Sequence, residues 1–177
     1  MNLPNKITIF RVCMIPIFLL FFLWEGLPYG NYIALAVFII ACISDAVDGR
    51  LARKHNLVTN FGKFMDPLAD KLLVCSALIC FVELGYVNSV IIIIIIAREF
   101  IISGFRLVAA DNGLVLAANY WGKLKTTAQM VMCILLIVHF DNTFFFALEQ
   151  IFIWLSLVLS VVSLIDYIVK NKNVFKE

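Results

Sequence analysis

The amino-acid sequence predicts an all-α fold, a polytopic membrane bundle of six transmembrane helices with both termini in the cytoplasm. Three observations predict it. Hydrophobic residues make up 63% of the 177 residues, and the mean hydropathy is +1.01, whereas soluble domains hold about 45–50% apolar residues. The apolar residues fall into runs of roughly 20, the length that crosses the ~30 Å hydrocarbon layer of a bilayer. Apart from Lys71 and Arg98, the fourteen Lys and Arg residues gather near the termini and alternate ends of those runs. Six such runs use up the chain, so residues 1–177 read as a single membrane domain in which any chemistry falls to the helices and their short connections.

The first helix is expected over 6–24. Lys6 and Arg11 before an apolar run resemble a secretory signal. No small-x-small cleavage site follows, and Trp24, Glu25 and Pro28 close the run, so it reads as a retained span. The second helix, 31–53, begins after the Gly26–Gly30 break, and the third, 61–84, after the polar stretch His55–Asn60. Gly85–Asn88 opens the fourth, 87–109, whose Ile91–Ile96 run suits a span but carries no chemistry. The fifth, 120–140, follows the polar stretch Asp111–Asn119, and the sixth, 143–169, follows Asp141–Asn142.

Residues 25–30, 85–89 and 141–150 contain no Lys or Arg, whereas Lys6 and Arg11, then Arg50, Arg53, Lys54 and Lys63, then Arg106, Lys123 and Lys125, then Lys170, Lys172 and Lys176 lie at the opposite helix ends. By the positive-inside rule the basic side faces the cytoplasm of a multi-pass cell-membrane protein, and an even number of spans is required. Tyr29, Tyr32 and Tyr86 then fall near the outer interface, and Tyr120, Trp121 and Tyr167 near the inner one. A net charge of only +2 argues against a nucleic-acid partner. The five cysteines are scattered through apolar stretches without a CxxC pair and read as packing residues. His55 and His139 are given no catalytic role.

Chemistry concentrates in residues 45–70. Asp45 and Asp48 are three apart and share one helix face; Asp66 and Asp70 are four apart and share a face of the next helix. A short turn between the helices brings the two pairs together at their cytoplasmic ends. Like charges this close demand a cation, and an ionised aspartate within a membrane is a functional candidate by default. Four oxygen donors without His or Cys suit two divalent metal ions, Mg²⁺ or Mn²⁺. Such a pair fits the in-line displacement of a phosphoryl group. Gly49, Ala52 and Gly62 lie within a turn of the carboxylates, leaving space for a flat ligand or for close helix packing.

These residues form the pattern Asp-x2-Asp-Gly-x2-Ala-Arg-x8-Gly-x3-Asp-x3-Asp, which resembles the signature of the CDP-alcohol phosphatidyltransferase family at all eight fixed positions. A chance match is on the order of one in 10⁹ or rarer. The resemblance implies an enzyme that transfers a phosphatidyl group from CDP-diacylglycerol to an alcohol. It implies that Asp45, Asp48 and Asp66 bind two metals, with Asp70 as general base and possible shared ligand. It further implies nucleotide contacts from Gly49, Ala52, Arg53, Thr59 and Gly62, and from Asn5 and Thr8 in the Asn-Lys-Ile-Thr entry segment. A homodimer in the membrane lipids is expected on the same ground.

The acceptor is read from cations outside the signature. Lys63, Arg98, Arg106, Lys123 and Lys125 suit a phosphorylated alcohol, with Arg98 and Arg106, eight apart, close to one helix face. Arg98-Glu99-Phe100, Gly122-Lys123-Leu124-Lys125-Thr126 and the opening Leu-Pro-Asn-Lys-Ile-Thr-Ile-Phe-Arg resemble segments of bacterial family members that use sn-glycerol 3-phosphate. For Arg98, internal pairing with Glu99 is the rival role. The alternatives are another acceptor, inositol phosphate or phosphatidylglycerol, and, from a different class, an ion or proton transporter. Intramembrane carboxylates also mark transport paths, but no internal repeat of the transporter kind is evident here.

Overall fold

A computed structural model describes residues 3–24, 26–55, 60–111 and 120–171; the side chains of 3–6, 45–55, 60–67, 70 and 110–111 lie outside that description. Six helices run through the described residues: α1 (Leu3–Leu23), α2 (Gly30–His55), α3 (Asn60–Glu83), α4 (Ser89–Asp111), α5 (Tyr120–Val138) and α6 (Thr143–Lys170). Each corresponds to one predicted apolar run. The largest shift is at the start of α1, which begins at Leu3 because Pro4 fits a first helical turn, where its missing N–H has no partner to lose. α5 stops at Val138 because His139 adopts a left-handed φ of 43°.

The chain forms two compact units, Met1–Leu84 with α1–α3 and Gly85–Glu177 with α4–α6. In the first unit α1 lies along α2 and α3, and α2 also touches α3. Phenyl rings hold these helices together: Phe18 meets Phe38 of α2 at 6.0 Å, and Phe22 meets Phe81 of α3 edge-on at 5.8 Å. Ala34, Ala41, Ala69 and Ala77 are buried beside them, and such small residues let helix backbones approach closely. This packing fixes the two helix backbones that carry the aspartates.

In the second unit α6 packs against both α4 and α5. The core joins Ile92, Ile95 and Ile102 of α4 with Met132, Cys133 and Leu136 of α5, and with Ile153 and Leu159 of α6. The Asn142 side chain caps α6 by accepting from the Phe144 N–H at 3.0 Å. Next to this turn, Glu149 is buried and its Oε1 lies 3.1 Å from His139 Nδ1. The Tyr86 ring stacks on His139, with centroids 4.0 Å apart.

Among the described residues, α5 and α6 are long and apolar enough to cross a membrane. The end of α2 and the start of α3 carry the aspartates, and α4 carries Arg98, Glu99 and Arg106. Trp24, Tyr29, Tyr32 and Tyr120 are exposed, as interfacial aromatics would be. Tyr167 departs from that expectation. It is buried, with its ring edge-on to Phe105 of α4, and serves packing within the second unit.

Candidate active site

The structure places Asp45 and Asp48 in α2 and Asp66 and Asp70 in α3, on helices joined through residues 56–59. Asp45 is ten residues before the end of α2, and Asp70 is ten residues after the start of α3. Asp48 and Asp66 are seven and six residues from those same ends. At a rise of 1.5 Å per residue the outer pair lies about 15 Å from the connection and the inner pair about 10 Å. Along the two helices the aspartates thus stand at similar distances from residues 56–59; their side chains lie outside the described residues.

Gly49, Ala52 and Arg53 continue along α2, Gly62 and Lys63 open α3, and Asn5 lies in the first turns of α1. Of these residues only the helical backbone is described, and Thr59 lies outside the described residues. Thr8 is fully buried in the first unit. Arg11, three residues on and therefore on the same face of α1, is buried as well. The sequence reading treats Arg11 as a topology signal, whereas its charge is turned into the packed unit. Its place inside an apolar run was the available signal, because a charge there needs a partner.

The predicted acceptor cations divide sharply. Arg98 and Lys125 are buried, whereas Arg106 and Lys123 are exposed. Eight residues of α-helix turn through about 80° beyond two full turns, enough to take Arg106 off the buried face that holds Arg98. Lys63 has only its backbone described.

Arg98 and Lys125 converge on Glu99. Arg98 Nη1 donates to Glu99 Oε1 at 2.8 Å, and Lys125 Nζ donates to the same oxygen. Arg98 Nε also donates to Ser163 Oγ at 3.0 Å, and that hydroxyl donates to the Ser160 carbonyl. The cluster therefore ties α4 to α5 and α6. Gly122 lies beside it, where a Cβ would stand 3.4 Å from Arg98 Nη2, an ordinary contact distance. The sequence suggested the Arg98–Glu99 contact; the Lys125 and Ser163 partners arise only when three helices pack.

The first unit carries the four aspartates of the signature on α2 and α3, with no His or Cys among its fixed positions. That chemistry fits hard divalent cations such as Mg²⁺ or Mn²⁺.

The sequence model of the CDP-alcohol phosphatidyltransferase family matches residues 1–162, which run through both units. The chain belongs to the CDP-alcohol phosphatidyltransferase family. It is 44% identical to the CDP-diacylglycerol–glycerol-3-phosphate 3-phosphatidyltransferase of Bacillus subtilis, over 99% of this chain and 97% of that protein. Proteins of the same name from Haemophilus influenzae and Rickettsia bellii are 39% and 34% identical. Those matches cover 94% and 98% of this chain, and 91% and 97% of the relatives.

Proposed function

We propose that this enzyme transfers the phosphatidyl group of CDP-diacylglycerol to sn-glycerol 3-phosphate, yielding phosphatidylglycerophosphate and CMP in phospholipid biosynthesis. The observation that carries the reading is the complete family signature in residues 45–70, whose four aspartates fall on α2 and α3. The full-length similarity to relatives named for glycerol 3-phosphate supports the acceptor.

In this reading Asp45, Asp48, Asp66 and Asp70 would hold two Mg²⁺ or Mn²⁺ ions, which when bound supply positive charge against the donor pyrophosphate. The nucleotide half of the donor rests against Gly49, Ala52 and Gly62, with Asn5, Thr8, Arg53 and Thr59 around it. Asp70 takes the proton from an acceptor hydroxyl. The freed oxygen bonds to the lipid-side phosphorus as the bond from that phosphorus to the CMP oxygen breaks. Arg53 receives the charge that grows on the departing nucleotide. Lys63, Arg98, Arg106, Lys123 and Lys125 serve the acceptor phosphate, the two buried cations as its fixed partners and the exposed ones as attraction at longer range.

All six helices are proposed as spans, with both termini and the active site on the cytoplasmic side and the protein a homodimer. The deciding experiment measures CMP release from CDP-diacylglycerol by purified protein with Mg²⁺ or Mn²⁺ and competing acceptors. Glycerol 3-phosphate is expected to outcompete inositol phosphate and phosphatidylglycerol. Preference for another acceptor would overturn the assignment, and no release with any acceptor would overturn the reaction.

A further inference from the structure

Among the described residues of the second unit, three carboxylates have recorded cationic or imidazole partners. Asp166 holds Lys170 at 2.9 Å, and Glu149 holds His139. Glu99 alone faces two cations, Arg98 and Lys125, through one oxygen. Arg98 is 7% and Lys125 1% exposed. Among the described residues, two cations against one carboxylate leave an excess of one positive charge where water is scarce. A buried charge of that kind needs a compensating partner, and a phosphate monoester provides one.

Glu99 also solves a geometric problem. Arg98 and Lys125 come from different helices, and two like charges drawn to one spot would repel and part. A shared carboxylate oxygen holds them side by side. Ser163 fixes the Arg98 plane from α6. Guanidinium and ammonium together make a receptor with fixed spacing, rather than two long side chains that must be ordered each time an anion binds.

We infer that Glu99 is a positioning residue for acceptor recognition, gathering Arg98 and Lys125 into a two-cation receptor for the phosphate of the acceptor alcohol. This rests on the proposed transfer to a phosphorylated alcohol. It deepens that reading by giving the acidic residue a role in binding an anion. Charge alone predicts the opposite effect: a carboxylate beside an anion site repels the anion, and its removal should tighten binding.

The test is steady-state kinetics of purified Glu99→Gln in detergent, varying each substrate in turn. The glycerol 3-phosphate KM is expected to rise about tenfold or more, with the CDP-diacylglycerol KM unchanged to within about twofold. Inorganic phosphate, used as a competitive inhibitor against the acceptor, should weaken in parallel. Glu99→Asp keeps the charge and should recover part of the loss; it also serves for the same KM comparison should Glu99→Gln not fold. An acceptor KM that falls or stays level would make Glu99 a mere counter-charge and overturn the inference. So would an equal loss for both substrates, the mark of general damage to the fold. Failure of the underlying reaction is visible separately, as wild-type protein that releases no CMP with glycerol 3-phosphate. If wild type uses inositol phosphate instead, the same KM comparison is made against that acceptor.

Discussion

Gly30 lies so close to the Phe21 carbonyl that a Cβ built on it would stand 2.8 Å from the oxygen. The start of α2 is thereby pressed against the end of α1, and this contact helps set the path of the helix that carries Asp45 and Asp48. Neither backbone can yield cheaply, so Gly30→Ala is expected to lower stability by about 1–3 kcal/mol. Gly104, in α4 with open space around it, is the control: Gly104→Ala should be neutral or stabilising by up to about 1 kcal/mol. Thermal unfolding of the two variants in detergent compares them directly.

The carboxylates should respond differently to substitution. Asp70→Asn is expected to abolish turnover while donor binding persists. Asp45→Asn or Asp48→Asn should weaken the response to added metal as well. Treatment with EDTA should stop CMP release, and Mg²⁺ or Mn²⁺ should restore it. Near-normal turnover by Asp70→Asn would remove that residue from the base role.

Lys125 and Lys123 are two residues apart but occupy different environments, one buried against Glu99 and the other exposed. Lys125→Met leaves Glu99 paired with Arg98, so the fold should survive. Catalytic efficiency toward the acceptor is expected to fall by about 10²-fold, the cost of losing a buried charged contact. Lys123→Met should change it by less than about threefold. Equal effects would mean that burial does not distinguish their roles.

His139→Ala removes the partner of a buried carboxylate. Leaving Glu149 unsatisfied is expected to cost about 1–3 kcal/mol, in addition to the lost stacking against Tyr86. Pairing the change with Glu149→Leu should recover much of that loss, because the stranded charge goes too. A double-mutant cycle read by thermal unfolding measures the coupling.

Tyr86 lies in the turn before α4, where burial first, and then Glu149 and Asp141, raise its phenol above the ordinary 10.0. The folded protein therefore favours the neutral phenol. Its stabilising effect is complete below the unfolded value and is lost as pH climbs through the higher folded one. In an ultraviolet titration, Tyr86→Phe should remove a late-ionising tyrosine.

Helix positions were legible in the sequence because their signals are local. Apolar runs of span length, broken by Gly85 or by the Asn142 cap, mark ends that depend on a few neighbouring residues. The carboxylate pairs were legible for the same reason, as their spacing on each helix is a property of the chain itself. Partner choice was not. Lys125 meets a glutamate 26 residues earlier, and Arg98 a serine 65 residues later, and no periodicity encodes either. Arg106 and Tyr167 show the complementary difficulty: whether a residue faces protein or surroundings depends on which side of its helix a neighbour covers. Glu99 and Glu149 did leave a trace in the sequence, as single acids within apolar runs that packing had to satisfy.

The 28 residues of α6 give a rod about 42 Å long, some 12 Å more than the hydrocarbon layer of an average bilayer. Upright, such a rod pushes its last turns into the headgroups, where the Asp166–Lys170 pair can remain hydrated; leaning, it draws them back toward the acyl chains. In the spanning arrangement proposed above, α6 is a ruler held against the membrane, and its Ser163 grips Arg98 of the buried charge cluster.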